Sequence, residues 1–136
     1  MNKSLRHRTV AVAVIYDEPS NSFLLWNNPR WHGYAFPMKH FEPGNGIDPA
    51  KVALSALDGR EIPLSAAQAT ARPLDRHGEC QYSEGAREYT YYDYRVFGID
   101  LGRSLLAESL NPDLRWFTYD QLLAAESVTS STKSIA

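Results

Sequence analysis

The side chains best suited to chemistry lie in one turn-rich stretch of the sequence. Lys39, His40 and Glu42 come first, and two further acids, Asp58 and Glu61, follow. Lysine and histidine can bind anions, and carboxylates are ligands that hard divalent cations prefer. This stretch is therefore the candidate site.

A short strand and a loop are predicted to precede the acids. Residues 34–36 are apolar and aromatic, which favours a buried strand, and Pro37 cannot continue a central ladder. Residues 39–46 contain a proline and two glycines, which supply fixed or positive φ angles. We therefore expect a loop that folds back on itself and carries Lys39 and His40.

A helix is predicted directly after this loop. Asp48 is a good N-cap, Pro49 suits the first helical position, and Ile47 could pack on Val52 in the first turn. Gly59 is a natural C-terminal stop. A strand, a glycine-rich loop and a helix in this order can present backbone N–H groups to an anion such as phosphate. The same layout also occurs as a simple connection from sheet to helix that binds no ligand.

Phe36-Pro37, then Glu42-Pro43-Gly44 and an alanine-rich helix follow one another here. Together they resemble the signature of the Nudix hydrolases, which runs Pro-Gly-Gly, a Glu-x-Gly-Glu turn and a helix bearing Arg-Glu-x-x-Glu-Glu. The resemblance implies an α/β (α+β) fold: a Nudix-like α/β/α sandwich with a mixed central sheet and a helix after the Gly/Pro-rich loop.

The flanks of this stretch agree with the family. Residues 9–16 and 22–26 are similar to its opening pair of strands, and residues 114–118 are similar to its closing strand. Thr118 and Gln121 then predict a capping box, which opens a helix expected to bury two leucines, Leu122 and Leu123.

The sequence departs from the family in its catalytic pattern, which makes the Nudix box degenerate. With Pro37 on the family proline, Asn45 stands where the signature has a glutamate. The three acids of the family helix fall on Leu54, Leu57 and Asp58. These positions are three and four apart and share a helix face, and one carboxylate is a poor magnesium site.

The resemblance nevertheless implies roles for individual residues. The candidates for ligand binding are Lys39, His40, Gly44, Trp31 and Tyr34. Both aromatics would stack on a base, and ordinary packing is the alternative for each. If activity survives, Asp58 and Glu42 would be catalytic, and Asp58 and Glu61 would hold Mg²⁺ or Mn²⁺; otherwise no cofactor is expected. An extra carboxylate could come from Glu79, Glu84 or Glu88.

Three functions remain open. The first is a catalytically impaired nucleotide-binding or regulatory module, favoured by the missing carboxylates. The second is a metal-dependent Nudix hydrolase that cleaves a phosphoanhydride bond of a nucleoside diphosphate derivative with a non-standard acid set, which requires its acids to converge in space. The third is a protein interaction domain in which Leu54 and Leu57 simply join the core.

Composition limits the remaining possibilities. The 136 residues carry a net charge of −2, which allows one domain and argues against a dedicated DNA or RNA binder. The single Cys80 excludes an internal disulfide. No apolar run approaches the ~20 residues that span a bilayer, so a cytoplasmic protein without a membrane partner is expected. The expected partner is a nucleoside diphosphate derivative or another phosphorylated small molecule, and the sequence specifies no protein partner.

The remaining segments complete the expected organisation. We expect a flexible N-terminus over residues 1–7, a single Nudix-like domain over 8–126 and a disordered tail over 127–136, because the last segment is rich in serine and threonine. Residues 76–87 are polar and predict a mobile loop or hairpin tip, and residues 88–101 are the longest strand candidate.

Overall fold

The computed structural model describes residues 6–28, 33–44, 46–57, 70–83, 87–100 and 113–136. Within these ranges the strands are β1 (Arg6–Val14), β2 (Tyr16–Asp17), β3 (Ser22–Asn28), β4 (Gly33–Ala35), β5 (Met38–Phe41), β6 (Thr70–Ser83), β7 (Glu88–Asp100) and β8 (Leu114–Thr118). The helices are α1 (Pro49–Ser55), α2 (Tyr119–Ala124) and α3 (Ser130–Ile135).

The larger of the two sheets has the strand order β5-β1-β7-β6. β1 and β7 are parallel, whereas β5 pairs antiparallel with β1 and β6 pairs antiparallel with β7, so this sheet is mixed. Residues 10–14 of β1 are all buried. That pattern is expected of a central strand with both faces covered, and it follows from the continuous run of valine and alanine.

The second sheet is built around β3. β2 and β4 pair with one edge of β3, and β8 pairs with it as well, all of them antiparallel. The hairpin that was expected between the first two strands is formed by the short β2 with β3, because β1 pairs with β5 and β7 instead.

Two hydrophobic clusters cover the two faces of the larger sheet. Alternate residues of a strand point to opposite faces. On one face, Ala11 belongs to a cluster with Ala53 of α1 and with Leu57, which lies two residues past the end of that helix. On the other, Val12 packs with Leu122 of α2. These helix, sheet and helix layers confirm the predicted α/β/α arrangement with a mixed sheet.

Helix α1 begins where the sequence predicted. The side chain of Asp48 accepts a hydrogen bond from Ala50 N at 3.0 Å, and Pro49 is the first helical residue. The helix ends at Ser55, and the predicted stop at Gly59 lies outside the described residues.

The segment after Pro37 differs from the expected loop. Met38–Phe41 forms β5, so Lys39 and His40 lie on a strand. Pro37 lacks an N–H, but its carbonyl accepts a hydrogen bond from Ala13 N at 2.9 Å. Since β5 is an edge strand, the chain can continue in extended form directly after the proline.

Of the two alternatives predicted for residues 76–87, the mobile loop is wrong for residues 76–83, which belong to β6, whereas the end of a hairpin agrees with the antiparallel pairing of β6 and β7. β6 continues to Ser83 and pairs with β7 residue by residue down to Ser83 opposite Glu88. The tyrosine-rich β7 supplies the partner strand, and such pairing overrides the polar composition that suggested a loop.

The described residues of both terminal segments form regular structure that was not expected. Arg6 and His7 belong to β1, opposite Thr90 and Tyr91 of β7. At the C-terminus, residues 130–135 form α3. No helix within the described residues is long and apolar enough to cross a membrane.

The C-terminal segment is tied to β4 and the residue that follows it. Tyr34 N donates to Ser127 O at 2.6 Å, and Phe36 N donates to Thr132 Oγ1 at 3.2 Å. Val128 is 4% exposed and Thr132 is fully buried. The expected disordered tail is therefore wrong, because threonine hydroxyls serve here as hydrogen-bond partners and not only as solvated groups.

The predicted capping box of α2 is confirmed. Of the two leucines that were expected to be buried, only one is. Thr118 accepts from Gln121 N at 3.2 Å, and the Gln121 side chain accepts from Thr118 N at 3.0 Å. Leu122 is fully buried, whereas Leu123 is 41% exposed. Adjacent residues of a helix lie about 100° apart, so this short helix buries only one of the pair.

Candidate functional site

A cleft of about 350 Å³ lies where the loop after β5 separates from β1. Its lining residues are His7, Arg8, Thr9, His40, Phe41, Glu42 and Pro43. The cleft exists because Thr9 opposite Phe41 is the last paired position of the two strands, while β1 continues back to Arg6. Its size lies within the range of small-molecule pockets, ~300–1,000 Å³.

The loop beside the cleft has a backbone that favours glycine. Gly44 has a φ of +97° and Gly46 a φ of +74°. A Cβ built at either glycine would meet nothing within 4 Å, so the left-handed backbone conformation, not crowding, is the reason for glycine. These two turns bring the chain from β5 to the N-cap of α1.

The strand β5 places Lys39 and His40 on opposite faces of the sheet. Lys39 lies opposite Ala11, on the face covered by α1, and His40 lies opposite Val10, on the face covered by α2. His40 and Glu42 therefore line the cleft, and Lys39 lies outside its lining. Sequence reasoning had placed all three together in one loop.

Two of the positions that the resemblance aligns with family acids, Leu54 and Leu57, carry apolar side chains in the structure. Leu57 is 4% exposed and belongs to the core cluster, and Leu54 is half-buried against the same cluster. Neither offers an oxygen ligand, which magnesium requires. In the described part of the chain, no three His, Cys, Asp or Glu side chains are grouped closely enough to hold a metal ion. Asp58 and Glu61 lie outside the described residues.

Of the two aromatic candidates, Tyr34 is not among the residues that line the cleft. Tyr34 is half-buried and packs edge to face against Phe117, with ring centroids 5.2 Å apart. It also packs against the core cluster on the α2 side of the sheet. Trp31 lies outside the described residues.

Of the carboxylates considered as extra ligands, Glu79 and Glu88 have separate partners. Glu79 lies 3.3 Å from His77 Nε2 and accepts a hydrogen bond from Gln81. Glu88 forms an ion pair with Arg6 at 3.8 Å. Glu84 lies outside the described residues.

A second group of polar residues, which the sequence did not single out, lies on the α1 face of the sheet. Arg76 donates to Asp93 through Nε at 2.9 Å and Nη2 at 2.7 Å. Arg95 Nη2 lies 3.3 Å from the same carboxylate. The hydrogen bond from Arg76, with the charges of Arg76 and Arg95, holds the pKa of the Asp93 carboxyl below its ordinary value.

The strand register shows how this group relates to the candidate lysine. Lys39 is opposite Ala11, Ala11 is opposite Arg95, and Arg95 is opposite Arg76. Alternation along β7 could have placed Asp93 and Arg95 on one face. Their contact with Arg76 depends on the pairing of β6 with β7, and their alignment with Lys39 depends on the pairing of four strands, which a single sequence does not encode in a readable form.

Comparison with known proteins supports the fold. No protein-family model matches the sequence, and no curated protein matches it significantly. Solved structures do match. An Ap4A hydrolase from C. elegans is 15% identical with a TM-score of 0.57, over 88% of this chain and 85% of that one.

Two further solved structures agree. A Nudix hydrolase from Nitrosomonas europaea is 14% identical with a TM-score of 0.56, over 95% of this chain and 85% of that one. A Nudix hydrolase from M. smegmatis is 18% identical with a TM-score of 0.52, over 93% of this chain and 79% of that one. The chain therefore has the fold of the Nudix hydrolases.

Proposed function

We propose that this chain is a Nudix-fold nucleotide-binding module that does not carry out metal-dependent hydrolysis. The observation that carries the proposal is the position of Leu57, which is 4% exposed within the core cluster. A leucine that completes the core cannot be exchanged for a metal-binding acid without burying a charge, and a buried unpaired carboxylate is very costly.

The cleft beside β5 favours a binding module over a pure interaction domain. Leu54 and Leu57 pack into the core beneath α1, and neither is among the residues that line the cleft. The opening therefore remains available to a ligand. Its lining combines imidazole, guanidinium, hydroxyl and carboxylate groups with an aromatic ring, as orienting polar groups in ligand sites do.

A nucleoside diphosphate derivative suits these groups. Glu42 would accept hydrogen bonds from ribose hydroxyls, as acidic residues do in other nucleotide sites. His7 and Phe41 offer planar surfaces to a base. The name of the C. elegans protein also supports a phosphorylated nucleotide as the ligand class, since it states that Ap4A is the substrate of that protein. The phosphate groups would be held by cationic side chains of the chain itself.

Hydrolysis is tested with a panel of nucleoside diphosphate derivatives in the presence of magnesium or manganese. The wild type is compared with Asp58→Ala and Glu42→Ala, and Glu18→Ala, an exposed turn residue, is the matched carboxylate control. We expect no turnover above buffer for any of the four proteins.

Turnover that Asp58→Ala or Glu42→Ala abolishes, and that Glu18→Ala retains, would contradict the proposal. It would establish the alternative, a working hydrolase with a non-standard set of acids. Asp58 would then be a metal ligand, with Glu61 as a further candidate, and the metal would stabilise the charge that develops on the phosphate groups.

A further inference from the structure

We propose that Lys39, Arg95 and Arg76 form an anion-binding row that takes the phosphate groups of the bound nucleotide in place of a metal ion. The inference rests on the proposed function for the nature of the ligand. It adds a binding site on the α1 face of the sheet, composed of residues from three strands.

The register places the three cations on one face. Lys39 of β5, Ala11 of β1, Arg95 of β7 and Arg76 of β6 are successive partners across the sheet. Paired residues share a face, and neighbouring strands lie about 4.8 Å apart, so the row spans about 14 Å, with the fully buried Ala11 between Lys39 and Arg95. Lys39 is exposed, and the side chains of Arg76 and Arg95 are 66% and 27% exposed.

The row carries surplus positive charge. Asp93 accepts hydrogen bonds from both arginines and is itself only 15% exposed. Two guanidinium groups against one carboxylate leave one positive charge uncompensated. No carboxylate in the described ranges lies within 4 Å of the Lys39 ammonium, so the lysine adds a second positive charge.

The hydrogen bonds to Asp93 preorganise the side chains of Arg76 and Arg95 for anion binding. A carboxylate beneath two guanidinium groups fixes their planes, so less side-chain entropy is lost when a phosphate binds above them. Arginine also has enough N–H donors to bind a phosphate while it remains bonded to Asp93. An exposed ion pair contributes little to the stability of the fold. The presence of both Arg76 and Arg95 beside Asp93 is therefore not explained by stability alone.

The row is continuous with the cleft. Thr9 lines the cleft, and its strand partners are Phe41 on one side and Asp93 on the other. One step further along β1 on the same face, His7 contacts Tyr91, with ring centroids 5.5 Å apart. Ala11, at the level of the cation row, lies four residues after His7 along β1, which is about 13 Å. That length suits a nucleotide with its base at the rings and its phosphates at the cations.

The test measures binding of adenosine diphosphate and of inorganic pyrophosphate by calorimetry, with EDTA present throughout. The variants are Lys39→Gln and Arg76→Gln. Lys51→Gln on α1 and Arg72→Gln on β6 are the matched controls, because both are exposed and neither belongs to the row.

We expect both probes to bind the wild type and both controls, and to bind each row variant about tenfold more weakly, as the loss of a charge-assisted hydrogen bond predicts. Pyrophosphate binding that depends on the row, without binding of adenosine diphosphate, would support the row and overturn the nucleotide as ligand. Equal affinity of the row variants and the wild type for adenosine diphosphate would overturn the row and leave the proposed function standing. Failure of both probes to bind the wild type would overturn both proposals.

Discussion

Arg76 of β6 and Asp93 of β7 form a two-point hydrogen-bonded ion pair, with Nε and Nη2 of the arginine 2.9 and 2.7 Å from the two carboxylate oxygens. The pair joins the edge strand of the larger sheet to its neighbour. Since Arg95 approaches the same carboxylate, Asp93 is the centre of the charged group beside α1.

The first prediction concerns the pH dependence of stability through Asp93. Its pKa is lower in the folded chain than in the unfolded chain, so its contribution is complete above the unfolded value, about 3.9, and is lost as the pH falls through the folded value. Asp93→Asn is therefore expected to lower the free energy of unfolding by about 1 kcal/mol at neutral pH.

Urea unfolding from neutral pH down to about pH 2 measures this effect. The difference between the wild type and Asp93→Asn should shrink towards zero at the acid end. Glu18→Gln, in an exposed turn, should differ little from the wild type at any pH. A gap between the wild type and Asp93→Asn that stays constant over the whole range would show that the charge of Asp93 has no part in it.

The second prediction concerns Leu57, which stands at a position of a family acid. If it is a core residue, Leu57→Ala should lower the free energy of unfolding by about 2–4 kcal/mol, because it removes buried methyl groups and leaves a cavity. Leu123→Ala, at a leucine that is 41% exposed, should change it by less than about 0.5 kcal/mol. Equal small effects of the two substitutions would place Leu57 at the surface of a site and not in the core.

The third prediction concerns the C-terminal segment. Thr132 is fully buried, and its hydroxyl accepts a hydrogen bond from Phe36 N. Thr132→Val keeps the shape but leaves that N–H without a partner, so it should cost about 1–3 kcal/mol of unfolding free energy. Thr132→Ser keeps the hydroxyl and separates the loss of the hydrogen bond from the loss of a methyl group.

Chemical unfolding of the two variants gives the comparison. Thr132→Val should be the less stable of the two. If Thr132→Ser proves equally or more destabilised, the methyl group and not the hydrogen bond holds this segment in place, and our account of the C-terminal segment is wrong.

Much of the fold could be predicted because its signals are local. Asp48 and Pro49 start α1, and Thr118 with Gln121 starts α2, since a capping residue acts within its own turn. The continuous burial of residues 10–14 of β1 follows likewise from an uninterrupted apolar run. Each of these signals lies within a few residues of the structure that it specifies.

The errors arose where distant contacts decide the structure. β5 and the far half of β6 form because partner strands lie beside them, and α3 is ordered by hydrogen bonds to residues near Tyr34. In the candidate site, the sequence indicated Lys39 but not Arg76 and Arg95. The two arginines lie on consecutive antiparallel strands, and their alignment with each other and with Lys39, two strands away from Arg95, is set by sheet register.

The central claim is that the fold binds a nucleotide without a metal ion, and the most direct measurement is the affinity for adenosine diphosphate with excess magnesium and again with EDTA. Our account predicts the same dissociation constant in both conditions, because protein cations and not a metal hold the phosphates. Binding that requires magnesium, and that Asp58→Ala removes, would contradict it and place a metal site on the helix after all.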